Sequence, residues 1–376
     1  MDIGKKKFVL EDLFLGDASG ETEADYRENF EHFYYTTDAV KKLLNPRSYF
    51  ILGRKGVGKT LLSRFFCKTQ DSKEKRATCI SFRDFEFIQL REFKKATIPE
   101  REYYYIWQWC LLIYIAKLVV ETEEINQSWE CADLRKFLDT TFGIELNQRR
   151  VLEQTRQIEG SVGLKGIFGG KGIIDLKSDQ GDYTDYLDAL LSSLIDITSG
   201  SNIEFTIFCD DLDDNFGTEF YSSSCESLIH AAVSLNRSFN QKGAKVKVVL
   251  LLRSDIFLSL NFSDLSKYKR DHSVILDWSP EERENSPLIS LVLHKIVRSL
   301  NVDYPKNLSE VYYKIFPDQI DGRRSVLYLI DMTMTRPRDI ISLLQTAIDT
   351  YPRYSYFSPD TFRHSFKIKI FSRSIA

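Results

Sequence analysis

Three short apolar runs predict buried strands. They are residues 48–52 (SYFIL), 203–209 (IEFTIFC) and 246–252 (VKVVLLL), and each is followed at once by glycine or a charged residue. Runs of this length and composition are typical of strands that are covered on both faces. Because helical segments lie between and after these runs, the pattern predicts an α/β chain.

The apolar residues of the other segments recur at helical spacing. Residues 101–157 read as helices inserted between strands, and residues 280–300 carry a one-sided apolar stripe. Another helix is predicted to open near Thr335, because Pro337 suits a first helical turn. The predicted organisation is a helical lead-in at 1–47, a core at 48–276 with a helical and glycine-rich insertion at about 90–200, a helical lid at 277–352 and a short basic tail at 353–376.

Three segments leave alternatives open. Residues 160–172 (GSVGLKGIFGGKG) hold six glycines, which predicts a mobile loop or a two-stranded hairpin and not a second phosphate loop. Its lysines suit nucleic acid or a partner, although a solvated linker is the simpler interpretation. Residues 103–109 (YYYIWQW) have the composition of a contact surface, or else pack inserted helices onto the core. Residues 367–373 (KIKIFSR) suit a basic edge strand or a frayed tail.

Composition narrows the function classes. The 376 residues suit two or three domains, and 51 basic against 54 acidic side chains leave a net charge of -3, so no global field favours nucleic acid or a membrane. The most apolar stretch, residues 107–120, is interrupted by Gln108 and Lys117, so no membrane span is expected. Six cysteines without CxxC spacing predict a reduced, cytoplasmic protein without structural zinc.

The segment after the first apolar run indicates phosphate chemistry. Residues 53–60 (GRKGVGKT) stand between a strand and the helix-forming LLSRFF, as a phosphate-binding loop requires. The glycines let backbone N–H groups face a triphosphate, and the helix adds its positive dipole end. Lys59 is expected to contact the β and γ phosphates and Thr60 to bind Mg²⁺. The alternative is a glycine-rich turn that caps an ordinary helix. The predicted ATP-contacting residues are Gly53, Arg54, Lys55, Gly56, Val57, Gly58, Lys59, Thr60 and Leu61.

Acidic residues follow the second apolar run. Asp210 is the expected Mg²⁺ partner at the strand end. Asp211 is expected to point to the other side, because successive strand residues alternate, and to orient or deprotonate the attacking water. The alternative is a solvated acidic loop, and Asp213 and Asp214 are expected to face solvent or cap the next element.

Two arginines are candidate sensors of the γ-phosphate. Arg253 ends the third apolar run, at a sheet edge where ligands bind. Arg338 lies in the first turn of a predicted lid helix, where it can reach phosphate oxygens. The alternatives are ion pairs, between Arg253 and nearby acids and between Arg338 and Asp339 or a neighbouring helix.

Five segments together resemble the additional-strand P-loop ATPases of the AAA+ and STAND (signal-transduction ATPase) group. They are FILGRKGVGKT (50–60), FCDDLDD (208–214), LLRSDIF (251–257), DWSPEE (277–282) and TRPRDIISLLQTAI (335–348). Within that group the chain is most similar to a bacterial family of P-loop ATPases first noticed in cyanobacteria. The likeness spans about residues 28–350.

The resemblance implies a parallel-sheet P-loop NTPase core with the phosphate-loop strand central, a C-terminal helical lid, and ATP and Mg²⁺ as ligands. It assigns Arg253 and Arg338 to the two sensor positions. Asp211 stands where such proteins often have Glu, and its shorter side chain implies slow turnover. Lys59 and Asp210 are 151 residues apart, about double the spacing of a compact core, so an insertion is expected between the second and third strands.

These observations predict an ATPase that acts as a nucleotide-dependent switch on assembly or on a protein partner, in signalling or anti-phage defence. The alternative is an ATP-dependent nucleic-acid binder of the replication-initiator type. A small-molecule kinase needs an acceptor pocket that nothing in the sequence marks. Self-assembly also fits, with an arginine such as Arg323 or Arg324 completing a site across a subunit boundary.

Overall fold

A computed structural model describes the chain except for residues 1–6, 18–19, 27–28, 71, 84, 86, 94–102, 144–145, 161–182, 214–218, 279–283, 285, 306–308 and 374–376. The strands in the described part are β1 (Phe50–Gly53), β2 (Lys75–Ser81), β3 (Glu204–Asp210), β4 (Val246–Arg253), β5 (Ser273–Ile275), β6 (Gln319–Ile320) and β7 (Arg323–Arg324). The helices are α1 (Gly20–Tyr26), α2 (Phe30–Phe33), α3 (Asp38–Leu43), α4 (Lys59–Thr69), α5 (Tyr104–Val120), α6 (Trp129–Thr141), α7 (Gln148–Gly160), α8 (Tyr183–Ser199), α9 (Glu219–Gln241), α10 (Ser254–Ser259), α11 (Leu265–His272), α12 (Pro287–Ser299), α13 (Ser309–Ile315), α14 (Ser325–Met332), α15 (Pro337–Thr350) and α16 (Pro359–Arg373).

The main sheet has five strands in the order β2-β3-β4-β1-β5. Strand β3 pairs in parallel with β2 and β4, so that Phe205 lies opposite both Arg76 and Val246. The three strands predicted from apolar runs are confirmed, and the chain is α/β with a parallel sheet. The expected central position of the phosphate-loop strand is wrong: β4, the longest and a mostly buried strand, is the middle strand of the five, and β1 is the interior strand between β4 and β5.

The described residues divide into two compact units. The sheet unit comprises residues 43–52 and 66–274, and the lid unit comprises residues 1–42, 53–65 and 275–376. The sheet unit holds helices α5 to α8 between β2 and β3, where the sequence predicts an insertion. The glycine-rich segment falls within the undescribed residues from 161 onward.

Helix α5 is apolar on all sides and packs against α6, α8 and α9 inside the sheet unit. Trp107 and Trp109 are fully buried, and their indole N–H groups donate to Ser224 Oγ at 3.2 Å and to Thr155 Oγ1 at 3.0 Å. The contact-surface interpretation of residues 103–109 is therefore wrong for these rings. They pack the insertion instead, and Tyr105 is the exposed aromatic of the segment.

In the lid unit, the predicted apolar stripe of α12 is buried, and α15 begins at Pro337 as expected. Lys295 of α12 forms a buried ion pair with Glu23 of the lead-in, with Nζ 2.5 Å from Oε1. A buried charge pair of this kind fixes the register of two segments, because either charge alone is costly to bury. Within the described ranges, no helix is both long and apolar enough to cross a membrane.

The C-terminal segment is helical. The expected edge strand or frayed tail is wrong, because α16 runs from Pro359 to Arg373. Its start has a capping side chain, since Ser358 Oγ accepts a hydrogen bond from Thr361 N–H at 3.3 Å. The cap and the proline after it favour a helix more strongly than five alternating residues favour a strand.

Candidate functional site

The loop between β1 and α4, residues 53–60, contains two glycines in left-handed conformations. Gly56 and Gly58 have φ values of 84° and 94°, a region that favours glycine. A Cβ at Gly53 would lie 2.6 Å from Val57 Cγ2, so this position also requires glycine. Helix α4 begins at Lys59, and its first N–H groups therefore open toward the loop.

The side chain of Lys59 points back toward the start of this loop. Its Nζ donates hydrogen bonds to Gly53 O at 3.2 Å and to Arg54 O at 3.5 Å. These neutral carbonyls are weaker acceptors than phosphate oxygens. The ammonium group therefore lies where an anion held by the loop would attract it.

A short segment of the lid unit forms hydrogen bonds with the same loop. We call residues 333–338 (TMTRPR) the lid turn. The guanidinium of Arg54 donates to Met334 O at 3.1 Å and to Thr335 Oγ1 at 3.0 Å. Met334 and Thr335 have φ values of 50° and 55°, which cost about 1–3 kcal/mol each for residues other than glycine. The lid turn is thus a strained segment that is tied to the phosphate loop.

Arg338 approaches the loop through its backbone as well. Its N–H donates to Gly56 O at 3.2 Å, and a Cβ at Gly56 would lie 3.2 Å from the Cβ of Arg338. The Arg338 side chain is exposed. The structure therefore brings Arg338 to the predicted loop, and the glycine makes this approach possible.

Trp278 is a loop contact that the sequence patterns did not reveal. Its buried indole Nε1 donates to Val57 O at 2.9 Å. An indole N–H that is buried needs an acceptor, so this bond anchors the loop carbonyl and the ring together. The residue lies in the DWSPEE segment, whose tryptophan beside charged residues was the available signal.

Gly56→Ala should separate the lid contact from backbone strain. An alanine at either Gly56 or Gly58 meets a positive φ, at a cost of about 1–2 kcal/mol. At Gly58 the added Cβ has no atom within 4 Å, whereas at Gly56 it crowds Arg338. We expect Gly56→Ala to lower the free energy of unfolding in urea by more than Gly58→Ala does. Equal losses in the two variants would contradict the close approach.

The acidic residues lie in the sheet unit, at the carboxyl edge of the sheet. Asp210 is the last residue of β3 and is 5 % exposed. Asp211 does not continue the strand, because its φ of 58° is left-handed and its N–H donates to Asp210 Oδ1 at 2.8 Å. Its different direction is therefore set by a turn and not by strand alternation, which corrects that expectation. Asp214 lies outside the described residues.

Ser81 and Arg83 position the carboxylate of Asp211. Ser81 Oγ donates to Asp211 Oδ2 at 2.6 Å, and an Arg83 guanidinium nitrogen lies 3.4 Å from the same oxygen. Ser81 is the last residue of β2, and it lies opposite Asp210 of β3 in the sheet. Sequence reasoning missed both residues, although polar residues at the carboxyl ends of parallel strands are a usable signal.

Arg253 ends β4 at the same edge of the sheet unit, where it forms ion pairs. Its Nε donates to Asp255 Oδ1 at 3.1 Å, and Nε also lies 3.8 Å from an oxygen of Asp213. The hydrogen bond from Arg253 lowers the pKa of Asp255, and the same bond raises the pKa of Arg253. The ion-pair alternative for Arg253 therefore describes this state of the chain.

The two arginines considered for a subunit boundary are exposed on strand β7. Arg323 pairs with Asp331, and Arg324 pairs with Glu284. Taken together, the structure groups the phosphate loop with Arg338 in the lid unit. It separately groups Asp210, Asp211 and Arg253 at the carboxyl edge of the sheet unit.

Residues 286–367 match the FunZ-associated C-terminal helical domain. The match covers α12 to α15 and most of α16. The chain is also 22% identical over 354 residues to a protein of Escherichia coli (strain K12) described as "Putative transposon gamma-delta 80.3 kDa protein". That alignment covers 89% of this chain and 46% of the relative, so the chain spans about half the length of the relative. No solved structure gives a significant match.

Proposed function

We propose that the chain is a P-loop ATPase that acts as a nucleotide-dependent switch. The observation that carries the proposal is the loop 53–60, which combines two positive-φ glycines, a Lys59 ammonium bonded to the loop carbonyls and the start of α4. Backbone N–H groups, a cation and a helix N-terminus are the donors that bind a triphosphate. This combination of groups supports ATP as the ligand.

The loop residues have separate tasks in this proposal. The N–H groups of residues 56–60 hold phosphate oxygens, and Lys59 exchanges its bonds to Gly53 O and Arg54 O for bonds to the β and γ phosphates. The sequence-based candidates for binding Mg²⁺ are Thr60 and Asp210, and each would offer an oxygen ligand, which this hard cation prefers. When bound, Mg²⁺ neutralises charge on the phosphates.

Asp211 is proposed to orient and deprotonate the attacking water. Its carboxylate is held by Ser81 and lies near the Arg83 guanidinium, which fixes the direction of its oxygens. The oxygens of this carboxylate are the atoms proposed to accept the proton of the water. We expect slow turnover, because the side chain of Asp211 is shorter than that of the glutamate that similar ATPases often have.

The switch is proposed to act through the lid turn. Arg54 and Gly56 belong to the phosphate loop and bond directly to Met334, Thr335 and Arg338. A ligand that moves the loop would therefore also move the lid turn. The lid turn is strained by about 1–3 kcal/mol at each of Met334 and Thr335, and this strain could be released when the bonds break. A ligand shifts such an equilibrium only by its differential affinity for the two states.

The proposal is tested by phosphate release from Mg·ATP by the purified chain. Release above the buffer rate, abolished by EDTA, is the expected result, because Mg²⁺ is part of the proposed site. A chain that binds no Mg·ATP in titration calorimetry and releases no phosphate would refute the function.

Arg338→Ala and Arg253→Ala should narrow the difference between ATP and ADP affinity, because each side chain is proposed to sense the γ-phosphate. We expect the ATP-to-ADP affinity ratio to fall about fivefold to tenfold in each variant, measured by calorimetry. Arg270→Ala is the matched control, since Arg270 is an exposed arginine of α11 that pairs with Asp271. A variant with the parental ratio would return its arginine to an ion-pairing role.

A second candidate is ATP-dependent binding of nucleic acid. The observation that favours it is the relative described as a transposon protein. The measurement is fluorescence anisotropy of a labelled DNA duplex at low and high salt, with and without Mg·ATP. Binding that requires Mg·ATP supports this candidate, and no binding at low salt favours a switch that acts on a protein or on a second copy of the chain.

A further inference from the structure

A cavity of about 320 Å³ lies in the sheet unit, at the amino ends of β2, β3 and β4. It is therefore at the opposite edge of the sheet from Asp210 and Arg253. Four residues separate Thr206, which lines the cavity, from Asp210, so at about 3.3 Å per residue the two positions are about 13 Å apart along β3. The volume falls in the range that holds a small organic molecule.

The lining of this amino-edge cavity combines apolar surface with positive charge. Its apolar wall includes Phe66, Ala77 and Val246. Its charged residues are Lys75, Arg76, Lys245, Lys247 and Glu204. Helices α4 and α9 end beside the cavity, and each helix end adds about half a negative charge. Four cations against one carboxylate leave an excess of positive charge after both helix ends are included.

Two of the cations are already balanced. Lys75 Nζ lies 3.5 Å from Glu204 Oε2, and a guanidinium nitrogen of Arg76 lies 2.8 Å from Glu124 Oε1. Because Lys75 and Arg76 are each paired with a carboxylate, the excess positive charge lies on Lys245 and Lys247.

Lys245 and Lys247 bond to backbone carbonyls among the described residues. Lys247 Nζ donates to Leu43 O at 2.6 Å and to Asn45 O at 3.4 Å, and Lys245 Nζ donates to Asn202 O at 3.5 Å. Lys247 Nζ also lies 5.9 Å from the centre of the Phe66 ring. Burial lowers the pKa of Lys247 to about 8, because a partly desolvated ammonium is costly. An anion beside it would offset that cost.

We propose that the amino-edge cavity binds a small organic anion, with its charged group on Lys247 and Lys245 and its apolar body against Phe66. The site is separate from the phosphate loop and does not depend on the proposed ATPase activity. Its ligand class is an aromatic or otherwise apolar molecule with one carboxylate, sulfonate or phosphate group. Neutral carbonyls are the present partners of both lysines, and a charged acceptor makes a stronger bond.

The probe for the test is 8-anilinonaphthalene-1-sulfonate, an aromatic anion, with N-phenyl-1-naphthylamine as its uncharged counterpart. Fluorescence titration of the full chain should give one saturable site for the anion. Lys247→Met should weaken binding of the anion about tenfold or more and leave binding of the neutral dye within about twofold, because only the sulfonate loses its partner. Lys247→Arg, which keeps the charge, should lie between these values.

Two controls and a second cavity variant make the outcome decisive. Lys267→Met removes an exposed lysine of α11 and should leave the affinity unchanged. Lys245→Ala should weaken binding of the anionic dye about threefold. This variant decides the test if melting curves show that Lys247→Met does not fold. Lys59→Ala should bind the dye like the parent chain. Equal affinity in the parent and both cavity variants, or loss of dye binding in Lys59→Ala, would overturn the proposal.

Discussion

Lys59→Ala is expected to weaken binding of Mg·ATP about 100-fold, measured by titration calorimetry. The substitution removes the cation of the loop and leaves the backbone N–H groups in place. A charged hydrogen bond contributes about 1.5–3 kcal/mol, and about 1.4 kcal/mol corresponds to a factor of ten in affinity. Lys59 already lies over the loop carbonyls, so little rearrangement precedes its contact with phosphate.

Lys68→Ala is the matched control for this variant. Lys68 is an exposed lysine in the last turn of the same helix, α4, and its loss leaves the loop unchanged. The control should bind Mg·ATP like the parent chain. Equal affinities for the parent and Lys59→Ala would remove Lys59 from the site and return the loop to the interpretation as a helix-capping turn.

Replacement of Asp210 and replacement of Asp211 are expected to impair different properties of the chain. Asp211→Asn should bind Mg·ATP within about twofold of the parent and lose about 100-fold in turnover, since general-base catalysis contributes about 10²–10⁴-fold. Asp210→Asn should weaken the Mg²⁺-dependent part of binding, because it removes a proposed metal ligand. Calorimetry with and without Mg²⁺, combined with phosphate release, distinguishes the two defects.

Asp188→Asn is the control for the acids, because Asp188 is an exposed carboxylate on α8. It should leave both affinity and turnover unchanged. Undiminished phosphate release from Asp211→Asn would exclude Asp211 as the base. Asp213, which lies 3.8 Å from Arg253, would then be the next residue to replace.

Local sequence patterns were sufficient for the elements of the candidate site that are contiguous in the chain. The strand β1, the loop and the start of α4 follow one another within residues 50–69, so spacing alone identifies them. The fold class and the insertion between β2 and β3 were likewise predictable, from apolar runs and from the 151-residue interval between Lys59 and Asp210.

Contacts between distant segments were not predictable. Arg54 bonds to Met334, 280 residues further along the chain, and Trp278 bonds to Val57. No periodicity connects such pairs, because they meet only after the chain has folded. The left-handed conformation of Met334 and Thr335 was also not predictable from the sequence, since neither residue type favours it.

Asp211 and the C-terminal segment illustrate a second limit. Alternation along a strand holds only while the strand continues, and β3 ends at Asp210, so the side chain of Asp211 is directed by a turn. In the C-terminal segment, five alternating residues favoured a strand. The capping Ser358 and the following Pro359 were the stronger signals, because they act on the helix start directly.

The proposed switch requires that one ligand change both the phosphate loop and the lid turn. Hydrogen–deuterium exchange of the full chain, with and without Mg·ATP, tests this most directly, because the Arg338 N–H bonded to Gly56 O reports on both segments. We expect the amides of residues 56–60 to exchange more slowly with Mg·ATP, and exchange at residues 333–338 to change with them. Identical exchange of both segments with and without Mg·ATP would contradict the account.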